Sequence, residues 1–130
     1  MEGDKMRAII CGVFMAIVQT IMAATGAEAE TNSANFMLPY CKLTAEQASA
    51  NSIKALLLGQ CQGIIETIGQ MHKAQLVEDR SLCTDIPDDV THAQLIQIAL
   101  RYGELHPDQT HQPFWLFVMA ALRSAWPCKK

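Results

Sequence analysis

Beyond residue 29 the chain carries four cysteines, Cys41, Cys61, Cys83 and Cys128, no two of them closer than twenty residues. That spacing leaves no Cys-x-x-Cys, and the histidines show no ligand spacing beside the cysteines, so a zinc site is not indicated. An even count in about a hundred residues reads instead as two disulfides, and hence as a chain that folds in an oxidising compartment. Three connectivities are open. The pairing we favour is Cys41 with Cys61, tying an opening segment to a long helix, and Cys83 with Cys128, fastening the chain end to an acidic loop.

The first thirty residues fit export. Lys5 and Arg7 precede an apolar run from Ala8, and Ala27-Glu28-Ala29 supplies small residues at a cleavage position. This is the pattern of a secretory signal peptide, with cleavage expected after Ala29. A membrane anchor fits less well, because Gln19 and Thr20 interrupt the run and Glu28 and Glu30 follow it, so no membrane association is expected once the signal is removed. Residues 30–130 would then form one exported domain. They hold eight Lys plus Arg against ten Asp plus Glu, and nothing basic invites nucleic acid.

The remaining pattern is helical. A short helix is expected over residues 33–41, with Pro39 disturbing its end. Thr44 with Gln47 forms a capping box, Ser52 offers a second cap, and apolar residues at Ile53, Leu56, Leu57, Cys61, Ile64, Ile65, Ile68 and Met71 predict one continuous face of a helix reaching residue 74. Gly59 and Gly63, four apart, are expected to let another element of the fold approach that helix closely. Glu78 to Asp89 is an acidic connection holding Cys83, with a turn at Pro87-Asp88-Asp89. Thr91 with Gln94 caps a further helix ending near Gly103. Pro113 opens a last helix, apolar nearly all round from Phe114 to Trp126, which must be central in the core or half covered by a partner. Self-association as a homodimer is left open by that face. The fold class is therefore all-α, a small bundle of about four helices stapled by two disulfides.

No catalytic arrangement is indicated. The chain has no Gly-rich phosphate loop, no nucleophile elbow and no His-Glu-x-x-His, and His72, His92, His106 and His111 are scattered. A binding protein is expected rather than an enzyme, with no cofactor. Its candidate contact residues are Trp115 on the aromatic face of the last helix and Asp85, Asp88 and Asp89 in the acidic loop.

Several blocks in order carry a resemblance: residues 34–41 (ANFMLPYC), 59–65 (GQCQGII), Leu82-Cys83 before Pro87, Val90-Thr91, His106-Pro107, and residues 120–128 (AALRSAWPC). The chain resembles the Rap/Tai immunity proteins across nearly all of residues 33–130, and the closing block is the most specific. Ile64 and Thr67 depart from the pattern, standing where tyrosine and a second glycine are common. The resemblance implies a small periplasmic helical protein that neutralises a peptidoglycan amidase effector delivered by type VI secretion. The matched positions are cysteines, glycines, prolines and core residues, so no inhibitory residue carries over. The alternative reading is a periplasmic chaperone-like or stress-related binding protein without a toxin partner.

Overall fold

The computed structural model describes residues 31–74 and 83–128. The expected signal segment lies outside them. Five α-helices stand among the described residues: α1 (Ala34–Cys41), α2 (Ala45–Ser49), α3 (Ser52–Lys73), α4 (His92–Leu105) and α5 (Phe114–Ala125), with a 3-10 turn over Pro107–Gln109 before α5. They hold no strand, only isolated bridges at Ser33–Pro113 and Thr84–Pro127. The all-α class is as expected. The extra helix is α2.

Local sequence accounts for the helix starts. Ser33 Oγ accepts from the Phe36 N–H (3.3 Å), satisfying a donor that the first turn of α1 leaves open. The Thr44–Gln47 box is complete, with Thr44 Oγ1 accepting from Gln47 N–H at 3.2 Å and Gln47 Oε1 accepting from Thr44 N–H at 3.0 Å, yet it starts the five-residue α2 rather than the long helix. The long helix is capped by Asn51, whose Oδ1 accepts from Ile53 and Lys54 N–H, and Ser52 becomes its first residue. The Thr91–Gln94 box opens α4 as expected. That helix runs on past Gly103 to Leu105, and His106 and Pro107 end it.

Helix α5 is held at both ends. Before it, Phe114 N–H donates to Asn32 O (2.7 Å) and Ala34 N–H to Gln112 O (2.9 Å), which seals the start of α1 to the turn before α5. After it, Asp85 N–H donates to Trp126 O (3.0 Å), beside the Cys83–Cys128 disulfide, whose Cα atoms are 5.9 Å apart. The Cys41–Cys61 disulfide joins the end of α1 to the middle of α3 across a Cα separation of 5.6 Å. Both favoured pairings are present.

The core gathers Met37 from α1, Cys61, Ile65 and Ile68 from α3, Leu95 and Ala99 from α4, and Phe114, Phe117, Val118 and Leu122 from α5. Ile86 plugs it from the acidic connection. Lys73 Nζ closes that connection against the end of α3 by donating to Asp88 O (3.1 Å) and Val90 O (3.0 Å).

Two expectations are corrected. The apolar face of α3 is not one buried stripe: Leu58, Cys61, Ile65, Ile68 and His72, in steps of three and four, turn inward, while Ile53, Leu56 and Met71 stay 64%, 70% and 42% exposed. The apolar arc is wider than the arc its neighbours cover. Nor do Gly59 and Gly63 admit a neighbour, since a Cβ at either would meet nothing within 4 Å. The close approaches fall elsewhere, at Gly69, where a Cβ would lie 2.6 Å from Leu95 Cδ1, and at Gly103, where it would lie 2.8 Å from Leu38 Cδ1. Gly59→Ala and Gly63→Ala are therefore each expected to stabilise the monomer by up to about 1 kcal/mol, the cost of glycine in a helix interior. Thermal unfolding in dilute solution checks this, with a lowered Tm counting against it.

Candidate functional site

The first turn of α5 carries Trp115 outward, 53% exposed, while its neighbours Phe114 and Phe117 point into the core. Its indole borders a shallow hollow of about 300 Å³ with Gly63, Ile64, Thr67 and Ile68 of α3. No charged side chain lines it. Trp126, at the other end of α5, is only half-buried but packs against the core. Of the two tryptophans, one is thus structural and one is presented to solvent.

Asp85, Asp88 and Asp89 are all exposed, in the connection that the Lys73 ammonium and the Cys83–Cys128 bridge hold in place. Their loop joins the chain at Trp126, so about 16 Å of helix separates Trp115 from the Asp85 backbone contact, at 1.5 Å per residue. The structure does not gather the four candidates into one pocket. They offer two surfaces, one apolar and one acidic, both aromatic or charged enough to anchor a protein contact.

Sequence reasoning missed a second concavity among the described residues. A groove of about 800 Å³ runs between the end of α1, α3 and α4, with Leu43, Ile96 and Leu100 below and Lys42, Arg101 and Glu104 at its rim. Lys42 Nζ lies 3.7 Å from Glu104 Oε1, both side chains more than half exposed, so that pair adds little stability. Its residues come from three separated segments, and only the disulfide at Cys41 hinted that they meet.

The histidines do structural work. His92 Nε2 reaches the Gln62 carbonyl (3.2 Å), joining α4 to α3, His111 Nδ1 donates to Asp108 O (2.7 Å), and His106 packs on Tyr102 with ring centroids 4.3 Å apart. Among the described residues no group of three or more His, Cys, Asp or Glu could hold a metal ion, and no helix is long and apolar enough to cross a membrane.

His72 differs. It is 4% exposed, its Nε2 has no hydrogen-bond partner, and burial holds its pKa below the ordinary 6.5. The unfolded chain therefore takes up a proton first as pH falls. Stability is complete above about 6.5 and declines below it, by at most one proton's linkage, about 1.4 kcal/mol per pH unit. Denaturant unfolding at pH 7 and pH 5.5 should show a loss that His72→Gln reduces; equal losses would refute the assignment.

A family described as the Rap1a immunity proteins matches residues 33–128. The chain belongs to the Rap1a immunity protein family. The match begins on Ser33, the cap of α1, and ends on Cys128, so both disulfides and the five helices among the described residues of this Rap1a protein lie inside it. No curated protein and no solved structure matches the chain. Membership of the Rap1a family of immunity proteins implies a protein partner, a toxin.

Proposed function

We propose that this immunity protein works in the periplasm and neutralises a peptidoglycan amidase delivered by type VI secretion, binding the toxin so that its active-site cleft is covered or plugged. The observation that carries the reading is the Rap1a family match over residues 33–128. Two disulfides support an oxidising compartment, and the signal pattern of residues 1–29 supports export. Trp115 is the proposed anchor, because a rigid aromatic that the fold leaves half in solvent gains most from being covered. Asp85, Asp88 and Asp89 form the second proposed contact, suited to a basic rim on the toxin.

The test is a pull-down from the source periplasm followed by titration of the retained amidase. Recovery at near-equal amount, with peptidoglycan hydrolysis abolished at one equivalent, is expected. Trp115→Ala should weaken inhibition about 30-fold, the equivalent of a 2 kcal/mol hot spot. Retention of many unrelated proteins overturns the reading in favour of a chaperone-like binder, and retention of none in favour of a family member without a toxin partner.

A further inference from the structure

The two disulfides sit in unlike surroundings. Cys61 is fully buried and Cys41 is 6% exposed, both within the core, whereas Cys83 and Cys128 are half-buried at the chain end. A dithiol reduces a bridge only where its thiolate reaches one of the two sulfurs. For Cys41–Cys61 that requires the core to open, and globally open molecules make up about one in a thousand of a small domain's population or fewer. For Cys83–Cys128 it requires only that the chain end part from the acidic connection.

That parting is local. Beside the bridge, the two segments meet through the Asp85 N–H to Trp126 O bond (3.0 Å) and the isolated Thr84–Pro127 pairing, to which Pro127 brings no N–H. Thr84 Oγ1 is buried there with no hydrogen-bond partner. An unsatisfied buried hydroxyl is costly, and water that reaches it on opening recovers the cost. Further along the connection the hold is independent of the bridge. Ile86 is 7% exposed in the core, and Lys73 Nζ donates to Asp88 O and Val90 O. Opening therefore stops at Ile86.

We propose that Cys83–Cys128 is a redox latch, which a dithiol opens in the folded protein while Cys41–Cys61 stays closed. The reductant's thiolate attacks one sulfur of the bridge, forms a mixed disulfide and expels the other sulfur as a thiolate, which takes up a proton. The reductant's second thiol then displaces the protein sulfur. Two electrons pass from the dithiol to the bridge, leaving two cysteine thiols and one cyclic, oxidised reductant. Asp85 is then no longer tied to the chain end, while the Lys73 clamp on Asp88 O and Val90 O remains. Weaker grip on the toxin follows from this, a consequence that rests on the acidic-loop contact proposed above; the latch itself does not.

Treatment of the folded, disulfide-bonded protein with dithiothreitol, with thiols trapped by a maleimide and mapped by mass spectrometry, tests this. The expected result is initial labelling of Cys83 and Cys128 at least about 100-fold faster than of Cys41 and Cys61, in a two-thiol form that keeps its helicity and loses exchange protection at the Asp85 amide. Thr84→Val, which removes the unsatisfied hydroxyl, should slow that labelling about fivefold or more. Release of all four thiols together, earlier release at Cys41–Cys61, loss of helicity on opening, or a rate that Thr84→Val leaves unchanged overturns the proposal. Selective opening that leaves toxin inhibition intact supports the latch and removes the Asp85 contact, so the two readings fail separately.

Discussion

Reducing both disulfides is expected to lower stability by about 7 kcal/mol and leave the protein largely unfolded at neutral pH and 37 °C. The Cys41–Cys61 bridge closes a span of 20 residues and the Cys83–Cys128 bridge one of 45. On the chain-entropy estimate these contribute about 3 and about 4 kcal/mol, and because the two loops do not overlap, their effects on the unfolded chain add. A small domain has about 5 to 15 kcal/mol in total. The logarithm keeps the two contributions close despite the twofold difference in span, so burial decides which loss is more damaging. Cys61 is fully buried and Cys41 6% exposed, whereas Cys83 and Cys128 are half-buried at the chain end. Replacing Cys41 and Cys61 by Ala therefore removes core volume as well as the constraint, and should cost at least as much as replacing Cys83 and Cys128. Circular dichroism melts of the two double variants and of the reduced parent measure all three. A reduced protein melting within a few degrees of the oxidised one would show that packing alone sustains the bundle.

What could be read from the sequence was whatever is local or covalently constrained. The boxes at Thr44–Gln47 and Thr91–Gln94 depend on residues three apart, and both form. The favoured cysteine pairs followed from asking which bridges would tie the opening segment to the long helix and fasten the chain end to the acidic loop. Features set by distant neighbours were not legible. Gly59 and Gly63 look like close-packing glycines on spacing alone, but Gly69 and Gly103 hold that role because Leu95 and Leu38 arrive from other helices. The two tryptophans are a sharper case. Eleven residues is close to three turns of helix, so Trp115 and Trp126 share a side of α5 and periodicity cannot separate them. Thr84 and Asp85 pair with Pro127 and Trp126 at one end, and Ser33 and Asn32 pair with Pro113 and Phe114 at the other, yet Trp115 stays 53% exposed while Trp126 is half-buried against the core. The two candidate surfaces, Trp115 on the last helix and Asp85, Asp88 and Asp89 in the acidic loop, lie towards opposite ends of one helix, a separation set by the fold and not visible in the sequence.

Phe117→Ala is expected to cost about 4 kcal/mol, within the range for emptying a phenylalanine site in a close-packed core. Phe117 is fully buried in the first half of α5, and its ring meets Tyr102 edge-on at a centroid distance of 5.3 Å. That geometry adds to the area term. Relaxation into the cavity is limited on two sides. Helix α5 is pinned at both ends by the Asn32–Phe114 and Asp85–Trp126 hydrogen bonds, and Gly103 has no side chain with which to fill the space, although a Cβ there would sit 3.4 Å from Phe117 Cζ. Trp115→Ala, two residues away, removes a larger side chain that is 53% exposed and should cost under about 1 kcal/mol, as surface substitutions do. Urea unfolding of the two variants gives the comparison. At a slope of about 1.5 kcal/mol per molar urea, Phe117→Ala should lower the midpoint by roughly 2.5 M and Trp115→Ala by well under 1 M. Equal shifts would place Trp115 in the structural core and remove the basis for treating it as a binding residue. The expected split makes Trp115→Ala a clean probe of toxin binding, because a loss of inhibition in that variant could not be traced to unfolding.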